Sequence, residues 1–409
     1  MHAHLSHTPT GWTLTVDGEP FFVKGAVGHE KLARLGELGT NAVRLPELNR
    51  AALDEARAAG LAVLANLRVR PERDGMDYDD EAAVAAQHRE LMALVAELKD
   101  HGAIFMWCVG NELDHIPGDS DFNPKVWPAV NAIAREIHDI DPNHPTMTAV
   151  GMGRFGKIAG VVAACPDLDL IGINAYADID RVDGLLREHG WEKPYVFTEW
   201  GMSGMWQRPK TPWGAAFEES TTVKAQAYRQ RYRDAILAYP GRCLGGFAFY
   251  WGWRHENTLS WYNTWGPDGR EMETVEVWKE LFTGTPADPE LPHLYGVRVN
   301  RYIAPDPVVL ESGERVPIEA LADENATLPG MRLTFEVRPE VEYGAYAGSG
   351  EVLPEVVPGC IEGADGLQTV LQTVLQAPVE PGAYRLFAYL SDRSERFATA
   401  NMPFHVGPW

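Results

Sequence analysis

The sequence predicts an α/β protein, a (β/α)₈ barrel followed by an all-β sandwich. Three observations predict it. Short β-rich runs alternate eight times with helical patterns between residues 21 and 282. That stretch is close to the ~250 residues a barrel of this kind needs. From residue 294 helical periodicity stops, and short alternating runs punctuated by Pro and Gly take over, which is the pattern of a sandwich.

At the start, Trp12-Thr-Leu-Thr-Val16 alternates and meets Asp17-Gly18, a hairpin signal, with 21–24 expected as the returning strand. Barrel strands are expected at 21–24, 41–45, 61–67, 103–109, 146–150, 168–174, 195–198 and 245–250. Between them, 81–99, 126–140 and 219–239 read as helices. The last carries Val223, Tyr228, Tyr232, Ile236 and Tyr239 near helical spacing, with Lys and Arg interleaved. Downstream, 332–337 and 384–390 read as sandwich strands. The expected partition is a barrel with a short N-terminal hairpin over 1–285, a linker over 286–293 and a β-sandwich over 294–409. A Gln-Thr-Val-Leu duplication within 367–376 is too short for a structural repeat.

Composition narrows the function classes. The chain has 409 residues, 45% hydrophobic and 23% charged, as a globular protein does. Its 58 acidic against 36 basic residues give a formal charge of −22, which argues against nucleic acid as a partner. No run is long and apolar enough to span a membrane. The N-terminus, Met1-His-Ala-His-Leu-Ser-His, shows no secretion signal, so the expected location is cytoplasmic unless a leader was removed. Cys108, Cys165, Cys243 and Cys360 show no metal-ligand spacing and read as free, buried thiols. No cofactor and no metal are expected, and the oligomeric state is not legible.

Two glutamates carry the chemistry. Glu112 closes the apolar run Phe105-Met-Trp-Cys-Val-Gly-Asn-Glu112, and Glu199 lies in Tyr195-Val-Phe-Thr-Glu199-Trp-Gly201. An acid at the exit of a buried strand is costly unless it is used or paired. Side chains just past the C-terminal ends of barrel strands converge on one mouth. There the polar residues are Arg44 after strand two, Asn111 and Glu112 after strand four, Asn174 and Tyr176 after strand six, and Glu199 after strand seven. Trp200 sits beside Glu199, and Trp251 and Trp253 follow strand eight.

Retaining glycoside cleavage uses two carboxyls about 5–5.5 Å apart, one a nucleophile and one a proton donor. Glu199 suits the nucleophile, with Arg44 and the Tyr176 hydroxyl as candidates to keep it ionised. Glu112 suits the acid, and Asn111 beside it suits a hydrogen bond to the sugar 2-hydroxyl. Asn174 completes the polar set. The tryptophans suit the apolar C–H face of a pyranose ring. Taken singly, each residue also has a structural reading: a helix-start acid, an ion-pair arginine, a core tyrosine. His115, His255 and Glu256 show no metal-ligand spacing. Arg208, Lys210 and Arg254 have two readings, recognition of an acidic sugar or plain solvation, and solvation is the favoured one.

The motifs Trp107-Cys-Val-Gly-Asn-Glu112, Phe197-Thr-Glu199-Trp-Gly and Asn41-Ala-Val-Arg44-Leu resemble the clan A glycoside hydrolases. The TIM-barrel catalytic domain of glycoside hydrolase family 2 is the nearest likeness, over roughly residues 10 to 285. The segment Gly11-Trp-Thr-Leu-Thr-Val-Asp-Gly-Glu-Pro-Phe-Phe-Val-Lys-Gly25 is similar to the entry into that barrel. The resemblance implies Glu112 as acid/base, Glu199 as nucleophile and Asn111 as 2-hydroxyl ligand, with retention at the anomeric carbon. The chain departs from the family in having a sandwich after the barrel instead of before it. Its strand-eight segment, 249–261, matches no substrate-defining motif. The resulting expectation is a retaining β-glycosidase acting on a β-linked oligo- or polysaccharide. A transglycosylase using the same intermediate and a carbohydrate-binding barrel without catalysis stay open.

Overall fold

The computed structural model describes residues 1–115, 122–152, 156–341, 352–362 and 371–409, with backbone alone at 156 and 157. The Gln-Thr-Val-Leu duplication therefore lies partly outside the described residues. The chain packs as two compact units, one of Met1–Gly201 with Gln230–Trp251, the other of Met202–Arg229 with Gly252–Trp409.

The first unit opens on β1 (Ala3–Thr8), β2 (Gly11–Val16) and β3 (Glu19–Pro20), a small antiparallel sheet. Asp17 and Gly18, with φ of 51° and 88°, make the turn between β2 and β3, a conformation that Asp and Gly tolerate. The returning strand is β3, not the expected 21–24, because the residues from Val23 onward are taken up in the barrel. Strand β1 has no signal in the sequence, since its alternate positions are polar or histidine.

Eight parallel strands then close on themselves: β4 (Val23–Gly28), β5 (Ala42–Arg44), β6 (Ala62–Leu67), β7 (Ile104–Asn111), β8 (Thr146–Gly151), β9 (Ile171–Ala175), β10 (Tyr195–Trp200) and β11 (Cys243–Trp251). Each overlaps one expected strand. They read as continuous apolar runs because both faces are covered, and Ile104 to Gly110 are all buried. Helices follow the strands along the chain: α1 (Leu32–Glu37), α2 (Arg50–Ala58), α3 (Glu81–Leu98), α4 (Val126–Ile140), α5 (Gly156–Ala164) and α6 (Val182–Glu188) in this unit, with α7 (Thr221–Arg231) largely and α8 (Thr274–Thr283) wholly in the second. Asp80 starts α3 by accepting from the Ala82 and Ala83 N–H groups. Helix α4 buries Val126, Val130, Ile133 and Ile137, one helical face. The expected helix over 219–239 ends at Arg231 and continues as a single π turn, Tyr232–Ile236. All four cysteines are free and buried. Among the described residues no helix is long and apolar enough to cross a membrane.

The second unit contains two sheets. One has β12 (Leu294–Val299), β14 (Arg315–Ala322) and β16 (Gln372–Gln376) in the order 12-14-16. The other has β13 (Val308–Leu310), β15 (Arg332–Pro339), β17 (Gly382–Ser391) and β18 (Phe397–Val406) in the order 13-18-17-15. Ile318, Leu375, Leu386, Met402 and Phe404 share one apolar core, so the sheets form a sandwich. Phe217, far upstream, joins that core.

A buried polar network binds the same upstream segment to the sheets. The Glu218 carboxylate accepts from Lys224 Nζ, from Ser260 Oγ at 2.9 Å, from Thr258 Oγ1 at 2.6 Å and from Asn401 Nδ2 at 2.6 Å. Arg385 donates to Asn401 Oδ1 at 2.7 Å, to the Ala216 carbonyl at 2.9 Å and to Glu340 at 2.6 Å. Burial alone would raise the Glu218 pKa. The Lys224 charge and hydrogen bond, with Thr258, outweigh it and hold the carboxyl below its ordinary value.

Candidate active site

Strand ends of the first unit bring six of the expected residues into one hydrogen-bonded chain. Arg44, last residue of β5, is buried and reaches two neighbours with its fork. Nη1 donates to Glu199 Oε1 at 2.8 Å and to the Thr198 carbonyl at 3.2 Å, while Nη2 donates to Asn111 Oδ1 at 2.7 Å. A planar guanidinium suits this bridging, because its donors diverge at fixed angles. On the other side of Glu199, the Tyr176 hydroxyl donates to Oε2 at 2.8 Å. Both oxygens of one carboxylate are thus held, with a cation on one and a phenol on the other. The Glu199 side chain retains 14% exposure, so it stands at the open end of the barrel interior and not within it.

Glu112 is held differently. Asn174 Nδ2 donates to its Oε1 at 2.8 Å and to Asn111 Oδ1 at 3.1 Å. Thr198 Oγ1 donates to Asn174 Oδ1 at 2.7 Å, which fixes which end of that amide faces Glu112. No cation is bonded to the Glu112 side chain in any of these contacts, in contrast to Glu199. Its backbone is unusual, with φ of +48° in the left-handed region. For a side-chain-bearing residue that costs roughly 1 kcal/mol and persists only where the surroundings impose it. The Glu112 N–H donates to the Ala149 carbonyl at 2.8 Å on the next strand, and its own carbonyl accepts from His115 N–H at 3.0 Å.

The sequence does not mark three contributors. Arg73, on the short 3₁₀ turn Glu72–Asp74 after β6, donates to the carbonyls of Glu112, His115 and Asn111. Gly151, last residue of β8, leaves the space that the Glu112 carboxyl uses. A Cβ there would lie 2.8 Å from Oε1. Phe249 on β11 meets the Tyr176 ring edge-on at 6.0 Å between centroids.

The tryptophans fare differently. Trp200 is fully buried and stacks on Tyr232 at 5.8 Å, so it does not join Glu199. Strand alternation is the reason: neighbours on β10 point to opposite faces. Trp251 is also fully buried, with Nε1 donating to the Glu30 carbonyl at 2.6 Å, a packing role and not an open platform. Trp253 is half-buried in the second unit, its Nε1 donating to the Leu259 carbonyl at 3.2 Å. Arg208 and Arg254, expected to be solvated, are ion-paired with Glu219 at 2.9 Å and Glu256 at 2.5 Å.

Cys108 lies close enough to Arg44 and Glu199 to feel both charges. Burial pushes its thiol up to about 11 even though Arg44 pulls it down, so it stays protonated and is no nucleophile. Among the described residues no group of three or more His, Cys, Asp or Glu is placed to hold a metal ion.

No family model matches the chain, and no curated protein matches it. Solved structures do. Beta-glucuronidase 2 of Bacteroides uniformis aligns with 100% of this chain and 48% of its own, at 13% identity and a TM-score of 0.51. The beta-glucuronidase of Bifidobacterium dentium, complexed with coumarin-3-O-glucuronide, aligns with 70% of this chain and 50% of its own, at 16% identity and a TM-score of 0.50. A glycoside hydrolase family 5 mannosidase from Rhizomucor miehei covers 69% of this chain and 97% of its own, at 12% identity and a TM-score of 0.48. This chain spans about half the length of the two glucuronidases. At such identities the likeness to the two glucuronidases is one of fold, and this chain's own fold is a TIM barrel with an added β domain.

Proposed function

We propose that the protein is a retaining β-glycosidase of clan A type, with residues 1–285 carrying catalysis and 294–409 as an accessory sandwich. The observation that carries the reading is the unequal treatment of two carboxylates joined by one chain, Glu112–Asn174–Asn111–Arg44–Glu199. Glu199 accepts from a guanidinium on one oxygen and a phenol hydroxyl on the other. Glu112 has one neutral amide donor. Two carboxyls in different surroundings are what a division into nucleophile and acid requires.

In this reading a Glu199 oxygen attacks the anomeric carbon while the bond to the leaving oxygen breaks. That oxygen takes the bonding pair and receives the Glu112 proton. Water then attacks the glycosyl–Glu199 ester, returning a proton to Glu112 and freeing the Glu199 carboxylate. A sugar hydroxyl in place of water gives transglycosylation by the same route. Asn111 offers its amide hydrogens to the sugar 2-hydroxyl, since its oxygen is occupied by Arg44 and Asn174. Family 2 is the likeness we favour within the clan, and a β-linked oligo- or polysaccharide is the substrate class.

The test uses aryl β-glucosides, galactosides, mannosides and glucuronides with 2-fluoro analogues of each. Glu199→Gln should abolish turnover, and Glu112→Ala should regain turnover of activated aryl glycosides when azide is added. The 2-fluoro reagent should label Glu199 in the wild type. Unlabelled Glu199, or wild-type rates in both variants, sinks the assignment, and bound sugar without label points to a barrel that only binds.

A further inference from the structure

We propose that Arg73 is a positioning residue for the proton donor, holding Glu112 in its left-handed backbone conformation by gathering three carbonyls onto one guanidinium. The inference rests on the glycosidase reading and adds to it how the acid is aimed. Three features converge. Glu112 has φ of +48°, and Gly110 two residues earlier has φ of +85°, so the chain turns sharply as it leaves β7. That turn swings the carbonyls of Asn111, Glu112 and His115 toward a common point. Carbonyl dipoles aimed at one point repel unless a cation sits there. Arg73 supplies it: Nη1 reaches the Glu112 carbonyl and, at 3.1 Å, that of His115, while Nη2 reaches Asn111 at 3.3 Å.

The turn that carries Arg73 is itself anchored at the far side of the same connection. The Glu72 carboxylate accepts from the Asn123 N–H at 2.5 Å, and Gly75 closes the turn with φ of +85°. Adjacent side chains of one short turn therefore tie residues 111–115 and residue 123. Arg73 makes no hydrogen bond to the Glu112 carboxyl in these contacts. Its influence passes through the backbone, which sets where the Cα–Cβ bond points. With Glu112 turned correctly, the carboxyl meets Asn174 and fits over Gly151. Lysine, a single point of charge on a flexible stem, does not span three acceptors as a guanidinium does.

A misplaced proton donor harms substrates in proportion to their need for protonation. The measurement is kcat/KM of the full chain and of Arg73→Met and Arg73→Lys on paired phenyl and 2,4-dinitrophenyl β-glycosides of the four sugars named above. For Arg73→Met the phenyl substrate should lose about 100-fold. The dinitrophenyl substrate, whose leaving group needs no proton, should stay within about threefold. Azide should raise kcat of the variant on the dinitrophenyl substrate, because the same glutamate activates water in the second step. Arg73→Lys should fall between. Equal losses on both substrates, or none on either, overturn the role of Arg73 while leaving the glycosidase reading intact. If Arg73→Met does not fold by circular dichroism, Arg73→Lys is judged by the same criterion. A wild type that turns over neither substrate and takes no 2-fluoro label overturns the glycosidase reading, and this inference with it.

Discussion

Arg44 Nη2 donates to Asn111 Oδ1 at 2.7 Å, so the asparagine turns its oxygen to the arginine and keeps its amide hydrogens for another partner. The same arginine holds Glu199 at 2.8 Å. One side chain on the second barrel strand thus sets the orientation of groups on the fourth and the seventh. Any shift of Arg44 moves both together, which makes it a common datum for the whole mouth.

Tyr176→Phe removes the donor on Glu199 Oε2 and keeps the ring that meets Phe249 edge-on. A hydrogen bond to a charged group contributes about 1.5–3 kcal/mol, so kcat/KM on an aryl glycoside should fall about 10- to 100-fold. A variant within twofold of wild type would remove Tyr176 from the supporting set.

Gly151→Ala tests the space under Glu112. The added Cβ would lie 2.8 Å from Oε1 and 3.1 Å from Cδ, so the carboxyl has to move. The moving group is the end of a flexible side chain, and the melting temperature should change little. Activity should fall by about 100-fold, because small misplacements of a catalytic group are costly. Unchanged activity would mean that the carboxyl has room to spare.

Lys224→Met strands the Glu218 carboxylate in a buried setting. Ser260, Thr258 and Asn401 still donate to it, but the adjacent cation is gone. The expected loss is about 3–5 kcal/mol in urea unfolding, and the double variant Lys224→Met with Glu218→Gln should recover part of it. A loss of less than about 1 kcal/mol would show that the pair is not what secures this region.

Glu273 gives a pH prediction. Burial pushes its carboxyl up to about 8, against hydrogen bonds from Thr222 and Thr221 and the charge of Arg229. Thr222 Oγ1 donates to it at 2.6 Å, and His293 lies 3.8 Å away. The folded value lies above the ordinary 4.5, so the folded state binds this proton more tightly than the unfolded chain does. Its contribution is full below about 4.5 and is lost as pH rises to about 8. Glu273→Gln, which cannot ionise, should gain in melting temperature over wild type as pH goes from about 5 to about 9. A constant difference across that range would contradict the assignment.

The barrel was legible because buried parallel strands are apolar from end to end, so that Glu112 and Glu199 stand out at their exits. Arg44, Asn111, Asn174 and Tyr176 were legible for the same reason, as polar groups where the apolar runs stop. Arg73 and Gly151 were not, because their importance arises from a backbone angle at Glu112 that no residue pattern announces. Trp200 and Trp251 have the composition of a sugar platform, yet alternation and packing turn them into the core. The second unit was legible only in its strands. Nothing local in 202–229 reveals that Phe217 and Glu218 belong with β17 and β18.

That last arrangement bears on how the chain can be divided. Glu218 and Lys224 precede β11 in sequence, whereas Arg385 and Asn401 lie well over a hundred residues later. A cut at residue 293 looks like a natural seam between modules, yet it would take Asn401 from Glu218, Arg385 from the Ala216 carbonyl and the apolar cover from Phe217. The C-terminal sheets are therefore no interchangeable cassette. A chimera that grafts another ending after residue 293 should come out insoluble unless it also replaces 202–229, whereas soluble, cooperatively melting material from the simple graft would show that the two stretches can part company.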